Sequence, residues 1–242
     1  MATFERDGVS IHYEVRGGGF PVLLIAPGGM KSVISMWETT TPWNPIEQLS
    51  SDYQVVAMDQ RNAGTSSAPI SGDDGWHTYI GDQLALMDHL GADRFHVVGM
   101  CIGGPYSMGL IEAAPERVAS NVLFQPIGLD NNREAFYEMF DSWADVLRTT
   151  SHTDVPADDW TRFRSNMYDG DKLLFNLDRD FVRACTTPLL VLAGSDLYHP
   201  ASTSKAIAEL APNVELIENW KESPDREAAM EKTAAFLARN SS

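Results

Sequence analysis

The segment 95–111, FHVVGMCIGGPYSMGLI, constrains the chain more than any other. It is uncharged throughout, yet four glycines and Pro105 interrupt it, so it cannot be a continuous apolar membrane helix. Its first part, 95–100, is an apolar run of strand length, and 103–114 has the length and spacing of a helix. A strand that passes into a helix through Gly99-Met100-Cys101-Ile102-Gly103-Gly104 must turn very sharply. Small residues two before and two after Cys101 are what such a turn demands, because side chains there would collide. The geometry puts the Cys101 thiol at a helix N-terminus, where the dipole and free N–H groups favour a thiolate. It also leaves the Ile102 N–H ready to receive an oxyanion.

The rest of the chain alternates in the same way. Residues 9–15 alternate apolar and polar, as an antiparallel strand near a sheet edge does. Apolar runs at 21–26, 54–58, 118–124, 189–193 and 214–218 suit strands buried on both faces. Helical spacing falls between them at 43–49, 78–90, 202–210 and 226–238. The rhythm breaks over 127–183, which is rich in acidic and aromatic residues and reads as two or three helices. Strand–helix alternation predicts a mostly parallel twisted sheet flanked by helices. The expected division is a core of residues 1–126 and 184–242 carrying a small helical lid, 127–183.

Four landmarks, in order, carry a resemblance to the α/β-hydrolase superfamily over nearly the whole chain. Ala26-Pro27-Gly28-Gly29-Met30 stands where relatives have His-Gly-x and the second oxyanion donor. Asp59-Gln60-Arg61-Asn62-Ala63-Gly64-Thr65-Ser66 is similar to a D-Q-R-x-x-G-x-S turn, with Asn62 in place of the usual glycine. The elbow around Cys101 is the third. Gly194-Ser195-Asp196-Leu197-Tyr198-His199-Pro200 looks like the G-x-D-x-x-x-P turn that carries the triad acid. A cysteine in this elbow is similar to those of dienelactone hydrolases and polyhydroxyalkanoate synthases, although the rest of the chain resembles neither closely.

The resemblance implies an α/β-hydrolase fold in which Cys101 is the nucleophile and Asp196 the acid. The oxyanion hole would then be the N–H groups of Ile102 and Gly29, or Met30. The superfamily places its histidine after the last strand. Here that loop, 219–224, reads NWKESP and has none. Of the six histidines, His12, His77, His89, His96 and His152 fall on helices, strands or loops without a clear route to Cys101. His199 stands three residues after Asp196, and Pro200 biases it toward an extended backbone, so it is the leading candidate base. Lys221, beside Trp220, is the second.

The expected activity is hydrolysis of a small or medium apolar ester, thioester or lactone through an acyl-thioenzyme. An acyltransferase or lyase on the same elbow, or an inactive ligand-binding relative, are the alternatives. A net charge of −16 without a basic cluster argues against nucleic acid. The two cysteines make neither a disulfide framework nor a zinc site, and a reducing, cytoplasmic setting is the default. No cofactor, metal site or membrane partner is expected. The partner is a small-molecule substrate, and the oligomeric state is left open.

Overall fold

The structure, a computed structural model, describes residues 2–241. Its strands are β1 (Ala2–Arg6), β2 (Val9–Arg16), β3 (Phe20–Ile25), β4 (Tyr53–Met58), β5 (Phe95–Met100), β6 (Val118–Phe124), β7 (Leu189–Leu192) and β8 (Val214–Ile217). Among the described residues they form one eight-stranded sheet in the order β1-β2-β4-β3-β5-β6-β7-β8. Strands β3 to β8 run parallel, and β2 is antiparallel to both β1 and β4. The expected mostly parallel, helix-flanked sheet is what the chain forms. Strand β1 escaped the sequence reading because its residues are largely exposed and carry no apolar alternation.

The helices are α1 (Met36–Thr39), α2 (Pro45–Leu49), α3 (Trp76–His89), α4 (Gly103–Ala113), α5 (Arg133–Thr150), α6 (Ala157–Tyr168), α7 (Arg179–Ala184), α8 (Ala201–Leu210) and α9 (Asp225–Arg239). Side chains alternate between the two sheet faces, as the strand repeat requires. Leu23, Ile25, Phe95, Val97, Leu189 and Val191 enter one core with α3, α4 and α8. Val22, Leu24, Val98, Met100, Leu190 and Leu192 enter the other, under α2 and α9. Helix α2 starts where the chain provides a cap: the Ile46 N–H donates to Asn44 Oδ1 at 3.0 Å, and Pro45 follows the cap.

Helices α5 and α6 lie within residues 127–183, and α7 ends at Ala184. Phe136, Phe140, Trp143 and Ala144 make one stripe of α5, and Trp160, Phe163 and Met167 one stripe of α6. Both stripes merge with the core of the α3–α4 face, so these rings are mainly packing rather than a hollow ceiling. Three contacts pin the segment down: Trp143 Nε1 to Asn62 O at 3.1 Å, Trp76 Nε1 to Met167 O at 2.7 Å, and Asn166 Nδ2 to Gly72 O at 3.0 Å.

The turn after β4 is organised by two buried charges. Asp59 accepts from the Ile34 and Thr65 N–H groups at 2.9 and 3.1 Å. Asn62 replaces the usual glycine at a left-handed φ of 56°, which asparagine tolerates, and its Oδ1 accepts from Ala68 N–H at 2.8 Å. Arg61 grips Asp82 of α3 with Nε at 2.8 Å and Nη2 at 3.0 Å, while Asp74 lies 3.9 Å away. The Arg61 and Asp82 side chains are only 9% and 4% exposed. A buried pair of this kind is costly to break because one charge is stranded. Asp82→Ala should therefore lower unfolding free energy by about 3–5 kcal/mol in urea titration, and Arg61→Met with Asp82→Leu should recover most of the loss.

Candidate active site

The elbow is built by close backbone approaches. A Cβ at Gly99 would lie 2.2 Å from Gly103 O, one at Gly103 2.4 Å from Ile25 O, and one at Gly104 2.6 Å from Pro126 Cβ. Only glycine lets β5 hand over to α4 in so little space. Cys101, at the tip, is held at φ 60°, an uncommon conformation for a residue with a side chain. Its backbone is tied on both sides: Cys101 N–H donates to Phe124 O at 3.0 Å, and Cys101 O accepts from Gly104 and Ile127 N–H at 3.0 and 3.2 Å.

Asp196 and His199 arrive together on the loop between β7 and α8. His199 Nδ1 lies 2.8 and 2.9 Å from the two Asp196 carboxylate oxygens. Asp196 Oδ1 also accepts from the Tyr198 and His199 N–H groups, each at 3.0 Å. Gly194 permits this tight loop, since a Cβ there would sit 2.3 Å from His199 O. The carboxylate holds the Nδ1 edge of the ring and leaves Nε2 as the nitrogen that can exchange a proton. Nε2 is buried with no hydrogen-bond partner among the described residues. The ring and the Cys101 thiol act on each other through a direct side-chain interaction as well as through charge.

That coupling is strong. Burial by itself pushes the Cys101 thiol up, but His199 and the N–H groups of Gly28 and Ile102 outweigh it and hold the thiol below its ordinary range. Burial pushes His199 down, and the Cys101 and Asp196 charges more than reverse this, leaving its pKa raised. Burial raises Asp196, but the His199 ring and two backbone N–H groups bring its pKa below the usual carboxylate value. Each group thus favours the charged form of the other, the thiolate at Cys101 and the imidazolium at His199. Cys185, by contrast, is a buried free thiol pushed up by burial, with Thr187 only partly offsetting the effect.

The Gly28 N–H, like that of Ile102, is one of the backbone donors that lower the Cys101 thiol. Gly28 and Gly29 both have positive φ, 114° and 58°, and wind the chain at once into a 3-10 turn over Gly29–Lys31. Met30 is fully buried beside it.

Lys221 does not join the group acting on Cys101. Its Nζ lies over the Trp220 ring, 5.5 Å from the centroid. Trp220 is buried in the opposite core, with Nε1 donating to Ala193 O at 2.8 Å. Three of the other histidines have partners elsewhere. His96 bonds Ser120 at 2.8 Å, and burial, helped by Arg94, lowers its pKa to about 4. His89 packs on Phe4, and His152 faces Ala68 O at 2.9 Å. Gln125 was missed by sequence reasoning. It follows β6 at φ 37°, donates its N–H to Leu192 O at 2.7 Å, and so bridges the elbow side of the sheet to the strand that leads to Asp196.

A cleft of 280 Å³ opens beside the site, lined by Gly28, Met30, Lys31, Met139 and Tyr198 among others. Met139 of α5 covers Gly29 so closely that a Cβ there would lie 2.2 Å from its sulfur. Among the described residues there is no cluster of three or more His, Cys, Asp or Glu suited to a metal ion. No described helix is long and apolar enough to cross a membrane.

The family model of the alpha/beta hydrolase fold matches residues 21–167, more than half of the chain. The chain belongs to the alpha/beta hydrolase fold family. Among curated relatives, a putative carbamate hydrolase of Azorhizobium caulinodans is 36% identical over 110 residues, covering 46% of this chain and 38% of the relative. A fluoroacetate dehalogenase of a Burkholderia species is 34% identical over 110 residues, covering 44% and 34%. These matches thus span less than half the length of the relatives. Solved structures agree over the whole fold. A meta-cleavage product hydrolase of Pseudomonas fluorescens superposes with a TM-score of 0.72 at 20% identity, covering 99% of this chain and 98% of that one. An enol-lactonase of Burkholderia xenovorans gives 0.69 at 22% identity, covering 98% and 100%.

The electrostatics predict selective alkylation. Cys101 should react with iodoacetamide below the ordinary thiol range, and Cys185 should not, as followed by mass spectrometry of each peptide. Thiolate is lost as pH falls through the depressed Cys101 pKa, so His199→Ala should shift the Cys101 profile to higher pH. An unshifted profile would remove His199 from the account.

Proposed function

We propose that the protein is a cysteine-dependent hydrolase acting on a small or medium apolar ester, thioester or lactone. The observation that carries this reading is the His199 ring, fixed by Asp196 on Nδ1 and presenting a buried, unpartnered Nε2 to the electrostatically coupled Cys101 thiol. In the proposed reaction the Cys101 thiolate attacks the substrate carbonyl. The N–H groups of Gly28 and Ile102 receive the developing oxyanion. His199, protonated in the resting pair, donates its Nε2 proton to the leaving oxygen or sulfur as the carbonyl reforms. The neutral imidazole then takes a proton from water, which attacks the acyl-thioenzyme and releases the acid. Asp196 keeps the ring oriented and supports its positive charge in each step.

The substrate reading draws on the cleft and the relatives. A volume of 280 Å³ is at the low end of ligand pockets, and Met30 and Met139 give it adaptable apolar walls. The names of the similar proteins include a putative carbamate hydrolase and an enol-lactonase, both of which denote attack on a carboxyl-type carbon. We place the protein in a reducing, cytoplasmic compartment, because both cysteines are free and the mechanism needs Cys101 as a thiol. Acyl transfer to an amine or alcohol would use the same first half-reaction, and product analysis with added acceptors separates it from hydrolysis.

Activated short-chain esters test the proposal. Cys101→Ala should lower kcat/KM by about 10³-fold or more, and wild type should show an acyl adduct on Cys101 by mass spectrometry. His199→Ala should cost about 10²–10⁴-fold. Activity should rise as pH passes the depressed Cys101 pKa and fall as His199 deprotonates above its raised one. Asp196→Asn should move the alkaline limb downward, since the imidazolium loses its carboxylate. Full activity in Cys101→Ala would end the nucleophile reading.

A further inference from the structure

Next to the elbow, three tyrosines from three different helices converge. Tyr79 of α3 and Tyr106 of α4 are each 1% exposed, and Tyr168 at the end of α6 is fully buried. The Tyr79 and Tyr106 rings stack at 5.1 Å and 21°. Trp76 joins the group, 5.1 Å from Tyr106 and 6.0 Å from Tyr168. The rings are ordinary core. Their hydroxyls are not: those of Tyr79 and Tyr106 have no hydrogen-bond partner among the described residues. Tyr168 Oη has only the Met30 sulfur, a weak acceptor, at 3.7 Å. A buried hydroxyl without a good partner is destabilising, and phenylalanine would fill the same ring space without that cost.

Two observations connect these hydroxyls to the site. Tyr168 lies near enough to Cys101 to feel its charge. Met30, which touches Tyr168 Oη, also lines the 280 Å³ cleft together with Gly28. The flexible Met30 side chain therefore lies between the cleft and the Tyr168 hydroxyl. The surrounding charge narrows the ligand. Arg61 is engaged by Asp82 and approached by Asp74, so one guanidinium faces two carboxylates and negative charge is in excess. A further anion would be repelled there. Burial keeps all three phenols protonated, so they remain donors.

We propose that Tyr79, Tyr106 and Tyr168 form a polar subsite for the acyl part of the substrate, receiving a neutral oxygen acceptor such as a ketone, ether or second ester carbonyl. This deepens the hydrolase reading, on which it rests, by giving the otherwise apolar substrate one uncharged oxygen beyond the scissile carbonyl. Met30 moves aside when that oxygen enters.

The test compares 4-nitrophenyl esters of 4-, 5- and 6-oxo acids with those of the matched hydrocarbon acids, each corrected for its rate of alkaline hydrolysis. At one chain position at least, kcat/KM of wild type should favour the oxo ester by about tenfold, the fold-change of one well-made hydrogen bond. That ratio should fall to about twofold or less in Tyr79→Phe with Tyr106→Phe, and should drop in Tyr168→Phe. Tyr79→Phe alone carries the test if the double variant does not fold. A wild-type ratio near one at every position, or a ratio unchanged in the variants, overturns the subsite. So does a preference for the mono-4-nitrophenyl ester of a dicarboxylic acid that the Tyr→Phe changes abolish. Binding of the corresponding methyl esters to Cys101→Ala, followed by calorimetry, separates the two readings. Preference for the oxo ester there, with no turnover in wild type, keeps the subsite and removes the hydrolase. Cys101-dependent turnover with no oxo preference in either experiment removes the subsite alone.

Discussion

Cys101 can sit at φ 60° only because two glycines let the backbone close on itself there, and most of the molecule serves that approach. Gly103 presses against the carbonyl of Ile25 at the end of β3, and Gly104 against Pro126 just beyond β6. The strained residue is therefore clamped between the two strands that flank β5. Strain of this kind persists where surrounding structure over-determines it. Here the over-determination is the centre of the sheet, with β3 and β6 paired parallel to β5 on either side and apolar side chains filling both faces.

The segment that carries α5 and α6 completes what the elbow begins. Its aromatic stripes are continuous with the core, and Met139 is laid directly over Gly29. Closing the site in this way costs the charged forms of Cys101 and His199 their hydration. It also strengthens their attraction to each other and to nearby N–H groups. The directions of the pKa values show which effect wins: the thiol falls and the imidazole rises despite burial. A lone buried thiol such as Cys185 goes the other way.

The position of the proposed base follows from a local rearrangement. Trp220 occupies the loop after β8 where the superfamily has its histidine. It turns into the core and ties that loop to Ala193, at the end of β7. His199 comes from the next loop over and shares one tight turn with Asp196, which Gly194 allows. The proposed acid and base thus share a single segment of seven residues, 194–200. Their mutual orientation depends on the Asp196 contacts rather than on the packing of two separate strands.

What the sequence determined by itself was everything governed by short-range rules. Apolar runs and alternation set the strands, glycine spacing set the elbow, and the three-residue separation of Asp196 and His199 made their pairing possible. These are legible because backbone sterics and side-chain periodicity act between neighbours. The tertiary structure decided what depends on chain segments meeting. It brought the Gly28 N–H to the Cys101 thiol from the turn after β3. It kept Lys221 on the Trp220 ring, away from Cys101, and brought Gln125 beside the elbow. Above all it gathered Tyr79, Tyr106 and Tyr168 from three helices. Nothing local marks a tyrosine whose hydroxyl will be buried without a partner. That property exists only once the helices pack and every nearby acceptor has been taken or excluded.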